Sequence, residues 1–199
     1  MIKAFLFDYD GVITAQTKDI NHALQLADLL NVSEEEAQRL FDYFWPQYLR
    51  GRMTDQDIWQ YLYTKTGVAV PLNKQNIWKK WDQFHPLPSM IKLVAWLKSQ
   101  GYAVGLLTNV TPTTALAIEE HGGYDGFDFV VRSYQAGFAK PDPEMFKLAL
   151  DRLPGLQPHE VVFVDDRASL LPAAQRLGLQ TVHATDEQST IAAIKQIIT

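Results

Sequence analysis

The pattern of apolar and polar positions divides the chain into two kinds of region. Near the N-terminus, residues 4–7 are continuously apolar, which is typical of a strand covered on both faces of a parallel sheet. From residue 86 onward, short apolar strands alternate with helices of similar length, which predicts a doubly wound parallel sheet. The strands predicted in this second region are residues 103–107, 127–131, 161–164 and 180–183.

Helical periodicity alone is found between these two regions. The pattern predicts helices over residues 21–30, 33–46, 54–66 and 73–84. Ser33 and Thr54 each precede an acidic residue by three positions, as in a capping box. The sequence therefore predicts an α/β fold with a Rossmann-like core domain, residues 1–14 and 86–199. A helical cap domain, residues 15–85, is inserted after the first strand.

The cap region is rich in aromatic residues. Four of the five tryptophans in the chain lie there, namely Trp45, Trp59, Trp78 and Trp81. Aromatic side chains at helical spacing most often form the core of a small bundle, so we interpret them as packing residues rather than as a substrate stack. Between two cap helices, Arg50-Gly-Arg52 is interpreted as a solvated turn, with contact to an anionic substrate as the alternative.

Polar residues follow three of the predicted strands. They are Asp8 and Asp10 after the first strand, Thr108 and Asn109 after the second, and Asp165 and Asp166 after the fourth. Because parallel strands present their carboxyl ends at one edge of a sheet, we expect these groups to converge. Lys140, in the loop before the fourth strand, can reach the same edge.

The expected cluster has an unbalanced charge. Four aspartates and one lysine sum to about three negative charges, which raises the pKa values of the carboxyls unless a cation is bound. Oxygen ligands of this type suit Mg²⁺ rather than zinc. With a bound cation, the hydroxyl of Thr108, the amide of Asn109 and the ammonium of Lys140 are suitable donors to phosphate oxygens.

The two N-terminal aspartates suit different chemical roles. Asp8 is the candidate nucleophile, because a carboxylate can attack phosphorus and form an aspartyl phosphate. Asp10 lies just beyond the strand, where it can protonate the leaving oxygen and later deprotonate water. Simple turn or capping residues are the alternative interpretation of this pair.

Four segments of the chain also resemble the motifs of the haloacid dehalogenase (HAD) superfamily, in the family's order. They are Phe7-Asp8-Tyr9-Asp10-Gly11-Val12, Leu107-Thr108-Asn109, Lys140 within Lys-Pro-Asp-Pro-Glu, and Val164-Asp165-Asp166. The resemblance implies a Rossmann-like core, a small helical cap, and the roles of nucleophile for Asp8 and acid/base for Asp10. It implies Thr108 and Lys140 as phosphate ligands. It also implies Mg²⁺ held by Asp8, the Asp10 carbonyl and the Asp165-Asp166 pair, with Asp166 as the better direct ligand.

We therefore predict a magnesium-dependent phosphatase that hydrolyses a small phosphorylated metabolite. Three alternatives stay open. A phosphosugar mutase uses the same residues, and the segment from Asp8 to Thr14 resembles beta-phosphoglucomutase. The chain also resembles the N-terminal phosphatase-like part of epoxide hydrolases. A haloacid dehalogenase-type hydrolase needs neither Mg²⁺ nor Asp10. A phospho-accepting receiver module combines similar residues, but its acceptor aspartate follows a later strand and it has no cap.

Composition excludes several other classes of function. The net charge is -5, with no long basic run, so nucleic-acid binding through a basic surface is not expected. There is no cysteine, which excludes a thiolate metal site and a cysteine nucleophile. No apolar stretch approaches the length of a membrane span, and the N-terminus lacks the pattern of a signal peptide. We expect a cytoplasmic protein, with monomer and homodimer both open.

Overall fold

The computed structural model of the chain describes residues 1–15, 21–71 and 85–198. Within these ranges, helices flank a parallel five-stranded sheet on both faces, which confirms the predicted α/β fold. The strands are β1 (Ala4–Phe7), β2 (Ala103–Thr108), β3 (Phe129–Arg132), β4 (Val161–Asp165) and β5 (Gln180–His183). Their order in the sheet is β3-β2-β1-β4-β5, so the chain reverses its direction of travel across the sheet between β1 and β4.

The inserted region contains three helices in its described part. They are α1 (His22–Leu30), α2 (Glu34–Leu49) and α3 (Asp55–Thr66). These helices share an apolar core of their own, in which Phe44, Tyr48 and Ile58 are fully buried. Trp59 is buried in this core and Trp45 packs against it, as expected of packing residues. The predicted helix 73–84, with Trp78 and Trp81, lies outside the described residues.

The predicted caps at Ser33 and Thr54 are present, whereas α2 ends later than the sequence predicts. The predicted capping box of Thr54 and Asp57 is present, and α3 ends at Gly67. Ser33 accepts a hydrogen bond from the backbone N–H of Glu36. Helix α2 continues past Pro46 to Leu49, although the sequence predicts that it ends at the proline. Burial of Tyr48 stabilises this last turn. It offsets the loss of the backbone hydrogen bond that Pro46 cannot donate.

Helices of the core domain form one layer on each face of the sheet. They are α4 (Pro88–Ser99), α5 (Pro112–Glu120), α6 (Ser133–Ala136), α7 (Pro143–Leu150), α8 (Leu171–Arg176) and α9 (Glu187–Ile198). Phe5 and Phe7 of β1 pack toward α4, α5 and α9, whereas Leu6 packs toward α7 and α8. The alternation of β1 side chains between two buried faces explains why its sequence is continuously apolar.

Prolines and polar residues mark the starts of three helices in the core. Helix α4 begins at Pro88 without a side-chain cap, and Ser89 lies inside its first turn. Helix α5 begins at Pro112 and is capped by Thr111. Helix α9 begins at Glu187, ahead of Ile191, its first apolar residue. Its first turn is polar and is held by Asp186, which accepts the N–H of Ser189, so apolar periodicity alone does not reveal it.

The insertion leaves and re-enters the core along two adjacent segments. Thr14 and Pro86 form an isolated antiparallel bridge. The N–H of Ala15 donates to the carbonyl of His85 at 2.8 Å, and the N–H of Leu87 donates to the carbonyl of Ile13 at 2.9 Å. These bonds lie where the predicted domain boundaries fall, and the division itself stays a prediction.

In the described ranges, no helix has the length and apolar character needed to cross a bilayer.

A glycine in β2 provides a test of the packing against the sheet. A Cβ atom at Gly105 would lie 2.4 Å from the ring of Phe129. We predict that Gly105→Ala lowers the free energy of unfolding by about 1–3 kcal/mol, because the ring has to move. Urea denaturation measures the change. In a Phe129→Leu background the loss should be smaller, and equal losses in the two backgrounds would contradict this account of the contact.

Candidate active site

Two buried carboxylates lie side by side where β1 and β4 end. The backbone N–H of Asp8, the residue after β1, donates to the carbonyl of Val164 at 2.8 Å. Asp165 is the last residue of β4. Asp8 is 4% exposed and Asp165 is fully buried. The reversal of chain direction between these two strands opens a crevice at their carboxyl ends, which is where ligands bind in sheets of this kind.

Lys140 lies between these two carboxylates. Its Nζ is 2.8 Å from Oδ1 of Asp8 and 2.7 Å from Oδ2 of Asp165, and its side chain is fully buried. It also lies 5.3 Å from the centre of the Phe163 ring. The structure therefore brings Lys140 to the strand edge, as the sequence predicts. A buried ammonium in contact with two carboxylates is stabilised by charge-assisted hydrogen bonds.

The main chain of Lys140 is held by Asn109. The side-chain Nδ2 of Asn109 donates to the carbonyl of Lys140 at 2.8 Å, and its Oδ1 accepts the N–H of Lys140 at 2.7 Å. Asn109 thus holds the loop that contains Lys140, which we call the lysine loop. Its contact with phosphate stays a prediction. Thr108 is buried at the end of β2, on the strand that pairs with β1.

Asp8 has two favourable polar contacts, but its burial disfavours the charged form of the carboxyl. Its Oδ1 accepts the N–H of Tyr9 at 2.7 Å, and its Oδ2 lies 4.0 Å from the guanidinium of Arg167. Burial raises the pKa of Asp8 to about 6, opposed by the charge of Lys140 and reinforced by that of Asp165. One lysine therefore compensates the buried acids only in part.

Asp165 and Asp166 differ in their contacts. The two oxygens of Asp165 are both engaged, since Oδ1 accepts the N–H of Arg167 at 2.9 Å and Oδ2 accepts from Lys140. Asp166 is partly buried, and burial followed by the charge of Asp165 raises its pKa. This difference favours Asp166 as a direct metal ligand and Asp165 as the partner of the lysine.

Three of these carboxylates form a group that we call the acid cluster. Asp8, Asp165 and Asp166 each offer one oxygen, and the three oxygens lie within 4.8 Å of one another. Hard carboxylate oxygens at this spacing, with a deficit of positive charge around them, fit the ligand preference of Mg²⁺. The donor set is therefore suitable for the predicted metal.

Asp10 and Gly11 occupy the turn that leaves the acid cluster. The Asp10 side chain is exposed, and its Oδ1 accepts from the hydroxyl of Thr14 at 3.4 Å. Metal binding through the Asp10 carbonyl stays a prediction. Gly11 has a φ of 77°, and a Cβ atom there would lie 2.6 Å from Oδ2 of Asp166. Glycine is therefore required at this position for both the backbone conformation and the close approach.

The family of the chain follows from comparison with known proteins. The model of the haloacid dehalogenase-like hydrolases matches residues 2–178. The chain is a haloacid dehalogenase-like hydrolase. It is 28% identical over 197 residues to a sesquiterpene phosphatase of Aspergillus oryzae, a match that covers 98% of this chain and 96% of the relative. It is also 27% identical over 198 residues to (S)-2-haloacid dehalogenase 4A of Burkholderia cepacia, covering 91% of this chain and 82% of the relative.

A solved structure has the same fold. It is a HAD family enzyme of Bacteroides thetaiotaomicron in complex with magnesium and inorganic phosphate, with a TM-score of 0.73 and 23% identity. The match covers 92% of this hydrolase and 94% of that chain. The motif residues that carry the sequence resemblance are therefore placed on the architecture that the family uses.

The structure also shows a contact to the site that the sequence analysis missed. Arg50 of the cap binds Asp142, two residues after Lys140, with Nη2 and Oδ2 2.9 Å apart. The turn interpreted as solvated therefore contacts the lysine loop. No local pattern links two residues so far apart in the chain. Their opposite charges, one in a cap turn and one beside a motif, are the only signal that the sequence offers.

The burial of Asp8 generates a prediction for the metal-free hydrolase. With a pKa of about 6 instead of its ordinary 3.8, Asp8 binds more protons in the folded state than in the unfolded state between these two values. The Asp8 carboxyl therefore lowers the free energy of unfolding as pH rises through this window. Asp8→Asn should be more stable than the wild type at pH 7.5 by up to about 3 kcal/mol, with the difference fading toward pH 4.

Urea denaturation in the presence of EDTA, at both pH values, measures this difference. Asp151→Asn, which changes an exposed aspartate, is the matched control and should show little change. An Asp8→Asn variant that is less stable than the wild type at pH 7.5 would mean that attraction to Lys140 exceeds the burial penalty.

Proposed function

We propose that the chain is a magnesium-dependent phosphatase that hydrolyses a small phosphomonoester through an aspartyl phosphate on Asp8. The observation that carries the proposal is the acid cluster together with the buried ammonium of Lys140, which lies 2.8 Å from Asp8 and 2.7 Å from Asp165. The full-length similarity to a phosphatase and the fold shared with a magnesium and phosphate complex support it.

In the first step, Asp8 attacks phosphorus. Its Oδ1 is bound by the N–H of Tyr9 and by Lys140, which fixes the orientation of the carboxylate. We assign the attack to Oδ2. A bond forms between Oδ2 and phosphorus while the bond from phosphorus to the leaving oxygen breaks, which leaves Asp8 as an acyl phosphate.

Asp10 moves the protons in both steps. In the first step it gives a proton to the leaving oxygen, which departs as an alcohol. In the second step it takes a proton from water, the water oxygen attacks phosphorus, and the bond to Asp8 breaks to release inorganic phosphate. The exposed position of the Asp10 carboxyl allows exchange with solvent. The contact of Asp10 with the hydroxyl of Thr14 orients it.

The charge of the phosphoryl group is met by groups on several loops. Lys140 donates to a phosphoryl oxygen, and Thr108 and Asn109 are further candidate donors. Mg²⁺ bound by Asp8, Asp166, the carbonyl of Asp10 and, as a second choice, Asp165 would supply positive charge at the phosphoryl group. Fixed charges in a site shielded from water stabilise the transition state more than mobile ions in solution do.

Halide displacement at carbon is the second candidate function. The similarity to a haloacid dehalogenase favours it. Asp10 and the Asp165-Asp166 pair argue against it, because that reaction needs neither Mg²⁺ nor Asp10. A phosphosugar mutase would use the same residues as the phosphatase, and protection of its phosphoaspartate from water is the property that would distinguish it.

We assign the selection of the substrate to side chains of the cap. A cap placed over the strand edge favours small substrates, since large ones would prevent its contact with the core. We propose a screen of phosphorylated metabolites with Mg²⁺ and a readout of inorganic phosphate. Prenyl phosphates belong in the panel because a relative is named a sesquiterpene phosphatase.

Turnover of a generic aryl phosphate tests the proposed reaction. We expect activity with Mg²⁺, loss of activity with EDTA, and recovery when Mg²⁺ is added in excess. Asp8→Asn should lower kcat by about a thousandfold or more, because it removes the nucleophile. Asp151→Asn is the matched control and should retain activity. Substantial turnover by Asp8→Asn would overturn the assignment of the nucleophile, and halide release without metal would favour the dehalogenase.

A further inference from the structure

The cap contacts the core at the loops that carry the proposed phosphate ligands. Arg50 contacts Asp142 in the loop of Lys140, and Tyr48 contacts Thr113 in the helix that follows Thr108 and Asn109. We propose that the ion pair between Arg50 and Asp142 positions Lys140, so that the cap sets the phosphate-binding lysine in place. The inference rests on the proposed function for the role of Lys140.

The ion pair has the geometry of a strong, directional contact. Nε of Arg50 donates to Oδ2 of Asp142 at 3.0 Å, and Nη2 donates to Oδ1 at 3.1 Å. The two parallel bonds fix the relative orientation of the two groups. The side chains are 21% and 30% exposed, and Nη1 of Arg50 is held by the carbonyl of Pro46 at 3.1 Å. Arg50 is therefore anchored in α2 and extends to the core.

Asp142 also closes the turn that contains Lys140. Its Oδ2 accepts the N–H of Ala139 at 3.1 Å, and its own N–H donates to the carbonyl of Ala139 at 2.7 Å. Lys140 lies inside this turn, with its main chain bound to Asn109 on the other side. Because one carboxylate binds both the cap and the turn, displacement of Arg50 loosens the segment that places the lysine.

The rest of the cap turn fits closely against the same part of the core. Arg52 donates to the carbonyl of Gly137 at 3.3 Å. Gly51 has a φ of 64°, and a Cβ atom there would lie 2.1 Å from the carbonyl oxygen of Tyr134. The ion pair is thus one part of a packed contact rather than a single exposed pair, so it loses less of its strength to solvent screening.

A second contact keeps the cap attached when the ion pair is removed. The hydroxyl of Tyr48 contacts the hydroxyl of Thr113 at 2.9 Å, and the hydroxyl of Thr113 donates to Oδ2 of Asp55 at 3.0 Å. Tyr48 is fully buried and its own hydroxyl donates to Asp55. Substitution of Arg50 or Asp142 therefore perturbs the lysine loop while this anchor on α5 persists.

A double-mutant cycle tests the inference through turnover. We expect Arg50→Met and Asp142→Asn each to lower kcat about tenfold, with KM changed less than about threefold, because a displaced Lys140 stabilises less of the charge that develops on the phosphoryl group in the transition state. The double variant should lose no more than Asp142→Asn alone, since the amide oxygen of asparagine can still accept the N–H of Ala139 and both changes break the same ion pair. Arg50→Lys, which keeps the charge without the two parallel bonds, should recover part of the loss.

Hydrogen exchange provides a readout that does not depend on activity. The amide of Lys140, which donates to Asn109, should exchange about tenfold faster in Arg50→Met than in the wild type. Arg39→Met is the matched control, because Arg39 pairs with Glu35 on an exposed face of the cap, and it should leave both exchange and kcat unchanged. Thermal melting of each variant verifies that the fold is retained.

The outcomes separate the inference from the proposed function. Wild-type turnover with unchanged exchange in Arg50→Met would overturn the positioning role and leave the phosphatase intact. Additive losses in the double variant, or a raised KM with unchanged kcat, would also overturn it, since Arg50 would then act on the substrate directly. Faster exchange at Lys140 in a chain without phosphatase activity would support the contact and contradict only the proposed reaction.

Discussion

The burial of Lys140 between Asp8 and Asp165 is the interaction on which the site depends. The lysine side chain is fully buried and lies within hydrogen-bonding distance of both carboxylates. An ammonium removed from water is costly unless it is paired, and here the pairing also brings two acids together. Asp166 adds a third carboxylate to the group. The buried lysine and the half-exposed guanidinium of Arg167, 4.0 Å from Asp8, do not balance three acids, which is the physical basis for expecting a bound divalent metal.

The fold supplies the positions that make this arrangement possible. The order of the strands places β1 beside β4, so the acids at their ends lie in one crevice although they are distant in the chain. The helix layers bury both faces of β1, which fixes the direction of Asp8. Gly11 allows the chain to turn within van der Waals contact of Asp166. A side chain at this position would separate the first turn from Asp166 and the rest of the acid cluster.

The sequence predicts the α/β fold and the position of the site because the signals for both are local. The apolar run at 4–7, the alternation of strands and helices after residue 86, and the polar residues that end the strands can each be read within a short window. Contacts between distant segments could not be predicted in this way. The bonds of Asn109 to Lys140 and of Arg50 to Asp142 depend on where loops meet in space. The polar first turn of α9 lacks the apolar period by which helices are recognised.

The proposed reaction depends on a phosphoryl-enzyme formed on Asp8. Rapid acid quenching of the wild-type enzyme during turnover of an aryl phosphate with Mg²⁺, followed by proteolysis and mass spectrometry, tests it directly. We predict one added phosphoryl group on the peptide that contains Asp8, located by fragmentation on Asp8 and not on Asp10. Turnover without a covalent phosphoryl group in the first catalytic cycle, or a phosphoryl group on another residue, would contradict it.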